Sequence, residues 1–407
     1  MLARRASVIS TLVLTLVVAG CQQPNPSPTP AAPTAAPKPA VSPAVSPSPA
    51  AKPSPSLAAS PAASPVALPP EVVVTANRDD RSLSIVDPVA ARVIATVAVD
   101  RPVHGVTISP DQRSAFATDP SESSRSVVVA DLAQARQVGD VTVGSRPDGI
   151  AAAASSGEVV VANDGDNSVS FFNPQTRAPS AAVQVGATPR GVALAAVDGR
   201  PTAFVANAGD GSVSVIDIAQ RRVLASVSVR GQPTGVAPSI DGARVYALDA
   251  EGGNLAVIDA RANQVIRTVH VGDGLTGLDT TADGRFLLIT SSDATRNLYK
   301  LDVATDQVGN PLNIGAGALA VAASPRAERA YITTADNRLV IWDTSGDRTV
   351  TTVSVGQRPE GVAAQVQPAA APAASPGASP AASPSPAAPG PGASPAPAVS
   401  PVPSPKP

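Results

Sequence analysis

The chain is constrained most by a unit that it writes seven times. Aligning the Asp or Asn that closes runs such as "SVSVID" gives Asp87, Asp131, Asn173, Asp217, Asp259, Asp302 and Asp343, at steps of 44, 42, 44, 42, 43 and 41 residues. A second mark agrees: "RPVHG", "RPDG", "TPRG", "QPTG", "GLTG" and "RPEG" place glycines at 105, 149, 191, 235, 277 and 361, and "GAGALAV" fills the gap as a degenerate copy, with Ala318 and Leu319 at the matching place. A period of this length means stacked or ring-arranged copies of one supersecondary unit.

Each period holds four apolar runs of strand length divided by turn residues. In the fourth copy these are "RGVALAAV", "TAFVAN", "SVSVID" and "RVLASVSV", separated by "DGRP", "AGDG" and "IAQR". Gly and Asp there supply the backbone angles of tight hairpins. In the last run Val223, Ala225, Val227 and Val229 share one face and Leu224, Ser226 and Ser228 the other. Both faces are small to medium in size, as a sheet covered by neighbours on both sides requires. Four antiparallel strands repeated seven times describe an all-β, seven-bladed β-propeller. The order of the chain argues for a closed ring over an open solenoid. The repeats begin with second-strand sequence, "EVVVTAN" (71–77), and end with first-strand sequence, "EGVAAQV" (360–366). Joined, the two ends complete one blade from three N-terminal strands and one C-terminal strand, which leaves no open half blade.

The repeat, about residues 71–367, resembles the YVTN-repeat family of bacterial propellers in "VTAN…SLSIVD", "VAND…SVSFFN" and "VANAGDGSVSVID". It is weaker in the sixth copy, where "GNPLNIGAGA" replaces the proline turn. The resemblance implies the same seven-bladed fold, and its lactonase-like relatives imply, as an alternative to binding, hydrolysis of a sugar lactone without naming a catalytic set here. Trp342 in "VIWD" is read as a large core residue.

Outside the repeat, residues 22–70 and 368–407 are dominated by Pro, Ala and Ser. Such segments cannot bury enough apolar surface to offset chain entropy, so both are expected to be disordered and partly polyproline II. The first would reach at most about 150 Å, at roughly 3.1 Å per residue. Residues 1–21 form the expected export signal: Arg4 and Arg5, an apolar run too short to span a bilayer, then Cys21, the one cysteine. "VVAGC" (17–21) resembles the lipobox of bacterial lipoproteins, which implies a lipidated Cys21 and an extracytoplasmic protein anchored at the cell membrane or outer membrane. The twin arginines lack the rest of a folded-export signal, and Gln22 is not the aspartate that favours inner-membrane retention in many Gram-negative lipoproteins.

Residues 71–367 carry 25 basic and 32 acidic side chains, a net of −7. That argues against nucleic acid, which needs a basic face. Loops entering the first strand share one face of the ring with loops joining second and third strands; we call it the upper face. The residue before each glycine mark is expected near the mouth of the central channel: His104, Asp148, Arg190, Thr234, Thr276, Ala318 and Glu360, with Arg101, Arg146 and Arg358 just upstream. Side chains that vary on a repeating scaffold suit binding, although solvated turn residues paired across the channel would look the same. Asn163, Asp164, Asp166 and Asn167 have calcium-type oxygens, but tight hairpins need those residues regardless. No metal or cofactor is called for. There is no CxxCH, HExxH, GxSxG or phosphate loop, and only two histidines, of which His104 could serve as a base beside Asp148 or Glu360 while His270 reads as surface. The expectation is a monomeric, envelope-anchored binding or scaffolding module for a protein, peptide or glycan, with a lactonase-like hydrolase or a structural surface-layer protein as alternatives.

Overall fold

A computed structural model describes residues 65–153, 157–326 and 328–366. Cys21, the export signal and the C-terminal Pro-rich tail lie outside the described residues. Seven four-stranded antiparallel sheets follow one another around a ring, and the one helical turn among the described residues is the 3-10 turn Asp164–Asp166. Blade 4 shows the plan, from inner to outer strand: Pro189–Val197, Arg200–Asn207, Ser212–Asp217 and Arg222–Ser228. Blade 1 is the composite the sequence foretells, since its inner strand Pro359–Val366 pairs antiparallel with Glu71–Asn77, Val73 facing Ala364. Around this latch the Tyr331 hydroxyl of blade 7 donates to Glu71 Oε1 at 2.8 Å, and Gln112 Nε2 of blade 2 donates to Gln365 O at 2.6 Å.

Three repeated devices explain why these residues form these elements. The Asp or Asn ending each third strand accepts the backbone N–H groups that follow: Asp87 takes Val89 and Ala90, Asp217 takes Gln220, and Asp343 takes Ser345 and Gly346. Four residues after each such Asp or Asn the chain turns left-handed, at Ala91, Ala135, Arg177, Arg221, Asn263, Asp306 and Asp347. The period read in the sequence is therefore the period of a capped hairpin. The second device is a buried amide clamp. Asn77, Asn163 and Asn207 end second strands, and each Nδ2 donates to two serines of the third strand, Asn207 to Ser212 at 3.0 Å and Ser214 at 2.9 Å. The third device is apolar packing between blades. Phe204, Val213 and Val215 of blade 4 meet Val236, Val245 and Ile258 of blade 5, and Val73 and Val86 of blade 1 meet Tyr331 and Ile341 of blade 7.

Two expectations change. The outer strand is covered on one face only: Val227 is buried whereas Leu224 is 40% exposed. Blades splay like wedges, so the gap between them widens with radius. Leu224 is also the extra residue of a bulge, because Val215 pairs Ala225 and Ile216 pairs Val223; Ile266 and Val350 repeat this in blades 5 and 7. Such bulges blunt an outer edge. The linker also ends earlier than residue 70. Val66 N–H donates to Ala133 O at 2.6 Å and Leu68 packs on the core between blades 1 and 2, apolar side chains that the Pro-rich composition hid.

Candidate functional site

The mouth is built where the inner strands begin. A buried residue opens each one: Val103, Pro147, Pro189, Pro233, Leu275, Ala318 and Pro359. The residue after it reaches the channel mouth, and the next is usually glycine because neighbouring inner strands nearly touch there. A Cβ on Gly149 would lie 2.0 Å from Arg190 O, and one on Gly361 would lie 2.2 Å from His104 O. Thr118 Oγ1 donates to Asp148 O at 2.5 Å, joining blades 2 and 3 at the same level.

A cavity of about 360 Å³ results, and its walls include His104, Asp148, Arg190, Thr234, Thr276 and Glu360, six of the positions named from sequence. Three corrections follow. In blade 7 the mouth residue is Leu319 and not Ala318: the 18 residues that separate the closing Asp or Asn from the glycine mark in the other copies lead from Asp302 to Ala320, so Leu319 precedes the mark, and Ala318 pairs with Thr334 and is buried where other blades place proline. Arg101 does not face the mouth. In "RPVHG" Val103 takes the buried place, which pushes Arg101 one residue outward, and its guanidinium bonds Asp100, Ser126 and Asp140 toward the blade's outer edge. Arg146 and Arg358 stand behind the wall as braces, Arg146 on Asp164 at 2.8 Å and Arg358 on Glu360 at 2.7 Å. Both are left-handed at the residue before proline, with φ of 52°.

The charged groups lie on blades 1 to 4. His104 Nδ1 is 2.8 Å from Asp148 Oδ1, and Glu360 holds Arg78 at 3.0 Å. Burial opposes a charged imidazole, yet the Asp148 carboxylate outweighs it with help from Glu360, so the His104 pKa lies above its ordinary value. Asp148 is lowered: burial works against the carboxylate, but His104 prevails with Arg190 and Arg146. Asp164 is raised, burial dominating over Arg146 and Arg190. The opposite wall, Thr234, Ala250, Thr276 and Leu319, carries no charge, and its threonine hydroxyls bond backbone: Thr234 donates to Leu248 O and Thr276 to Ala318 O.

Arg78 and Asp164 belong to the mouth and were not recognised as such in the sequence. Arg78 reaches Glu360 across 282 positions, which no local pattern reports. The residues weighed for calcium point apart: Asn163 into its clamp, Asp164 to Arg146, Asp166 to Ser145 N–H, and Asn167 to Thr188 N–H. His270 is exposed near Asn254, and Trp342 is buried, as read. Deeper in the channel, Asp279 accepts the N–H groups of Thr280 and of Ala323 in the next blade, both at 2.8 Å, and burial pushes its pKa up to about 6.

No protein-family model matches the chain, and no curated protein is similar to it in sequence. Among solved structures, the hydrazine synthase of Kuenenia stuttgartiensis is 22% identical with a TM-score of 0.57, over 64% of this chain and 89% of that one. A functionally unknown protein from Desulfotomaculum acetoxidans DSM 771 is 11% identical with a TM-score of 0.62, over 73% of this chain and 99% of that one. At these identities both likenesses concern the fold, and the chain is a seven-bladed β-propeller.

Proposed function

We propose that this is a propeller of the YVTN-repeat type, anchored at the cell envelope through a lipidated Cys21 and carried on a Pro/Ala/Ser stalk, which binds a protein, peptide or glycan at its upper mouth. The observation that carries the reading is the mouth itself. Its side chains come from all seven blades counting Leu319, differ from blade to blade, and stand on a framework that repeats. Binding sites commonly sit on such variable positions held by a rigid scaffold. The net of −7 over residues 71–367 makes nucleic acid a poor partner. The domain is taken to act as a monomer.

The test is cross-linking from native envelopes, with the chain and a folded variant carrying Arg146→Ala, Asp148→Ala, Arg190→Ala and Glu360→Ala as baits. A partner captured by the first and lost by the second is expected. Identical or empty capture lists would sink the mouth as the binding surface.

One observation favours a second reading, a lactonase-like hydrolase. His104 is paired to Asp148 while its side chain, 38% exposed, borders the cavity, as a general acid or base requires. Lactone turnover abolished by His104→Ala would establish it, and stoichiometric binding without turnover would remove it.

A further inference from the structure

We infer that the mouth seats the free C-terminal carboxylate of a neutral or basic peptide on Arg190, an inference that rests on reading the mouth as a binding site. The acids of the mouth are already matched: Asp148 by His104, Asp164 by Arg146, and Glu360 by both Arg78 and Arg358. Arg190 lines the same cavity, is exposed, and makes no ion pair or hydrogen bond with any described residue. Four guanidinium groups therefore face three carboxylates, and the unmatched one is the one that borders the cavity. A guanidinium offers five donors in a fork that fits a carboxylate with two parallel bonds.

The surroundings restrict what may carry that carboxylate. Every loop between second and third strands bears an acid, from Asp80 in blade 1 to Asp336 in blade 7, so the basic centre sits inside an acidic rim. A polyanion is repelled by the rim, whereas one terminal carboxylate on a neutral or cationic body satisfies both zones. Each inner strand is paired with another strand on one side alone; on its channel edge some groups are taken by the neighbouring blade, Asp148 O by Thr118 and Ala318 O by Thr276, and the others face the channel as backbone N–H and C=O. Those groups match a peptide backbone. The uncharged wall at Ala250 and Leu319 accepts a small apolar side chain, and about 360 Å³ lies at the small end of ligand cavities.

The test follows the Arg190 Nε–H signal in the NMR spectrum of the full chain, assigned by its loss in Arg190→Gln. N-acetyl-Lys-Ala-Ala with a free carboxylate should shift it saturably, with at least about tenfold weaker binding for the C-terminal amide. Arg190→Lys should lose most of the affinity while melting like the parent, because the charge stays and the fork is gone. Equal binding of acid and amide, no shift at 10 mM peptide, or glucuronate binding as tightly as the peptide acid would each overturn the inference. Envelope capture separates this failure from failure of the binding reading. A partner lost in the fourfold mouth variant but kept by Arg190→Gln leaves the mouth as a binding surface and removes the carboxylate seat.

Discussion

The framework and the mouth of this ring obey different rules. In the framework the same solution recurs: an Asp or Asn caps each outer hairpin, an Asn clamps two serines in three blades, and apolar residues fill the spaces between blades. At the mouth His, Asp, Arg, Thr, Thr, Leu and Glu occupy equivalent places. Framework side chains satisfy buried backbone and polar groups, for which few residues qualify. Mouth side chains project from an already finished backbone, so the fold leaves them free to be used. Blade 6 marks how far the framework can bend. Its outer strand is only Gln307–Val308, and Asn297 replaces the usual clamp by donating to Ala316 O at 2.7 Å and accepting from Ile314 N–H at 2.9 Å. A strand may shrink where another route satisfies the same polar groups.

The sharpest way to break this contrast is to remove the latch. Ending the chain before Pro359 uncovers the inner edge of Glu71–Asn77 and one flank each of blades 2 and 7. The loss should exceed the whole stability of a typical domain, about 5–15 kcal/mol, so calorimetry should show no cooperative transition. A transition within a few degrees of the parent would mean that the ring does not depend on closure. Next in size is Asn163→Leu, which removes the amide partner of Ser168 and Ser170 and leaves the Gly144 N–H with Ser170 Oγ alone. Urea unfolding should register a loss of about 2–4 kcal/mol, with the His104 resonances unmoved.

Asp279 places a titratable group inside the framework, and its sign is opposite to a paired acid. With a pKa of about 6 in the fold against 3.8 for the free side chain, stability is fully present below pH 3.8 and falls as pH rises through about 6. Allowing for water in the channel, the fall should be about 1–2 kcal/mol between pH 4 and pH 7, and absent in Asp279→Asn. Removing one cap by Asp217→Ala should cost about 1 kcal/mol, visible as a small fall in the urea midpoint.

The smallest stability change is expected at the mouth. Asp148→Asn should lower the His104 pKa, read from its imidazole NMR shifts, and alter stability by less than about 1 kcal/mol, because the Asp148 carbonyl still accepts from Thr118. In the parent, the His104–Asp148 pair is ionised from below the usual Asp range to above the usual His range. The Asp contribution disappears as pH falls through its lowered value, and the His contribution disappears as pH rises through its raised one. A loss of several kcal/mol in Asp148→Asn would show that the mouth is framework after all.

Much of the fold was legible because its marks are tied to backbone geometry. The Asp or Asn at each step of the period caps a hairpin, the glycines allow inner strands to approach, and the order of second-strand and first-strand sequence at the two ends states the closure. Six mouth residues followed from counting back from those glycines. Counting failed in the two turns whose wording departs from the pattern. In blade 7 Ala320 stands in the glycine's place, which hid Leu319 as the mouth position, and Val103 in "RPVHG" turned Arg101 outward, since a slip of one along a strand reverses the facing side.

Pairing across the ring lay beyond any local pattern. That Arg78 would hold Glu360, that Arg146 would hold Asp164 instead of facing the cavity, and that Arg190 would be left without a partner depend on which side chains closure brings within a few ångströms. Period, strand count and latch belong to the chain as written, because each copy must satisfy its own backbone. The charge arrangement of the mouth belongs to the closed ring, because ion pairs depend on distances in space, and those exist only once residue 366 has come back beside residue 71.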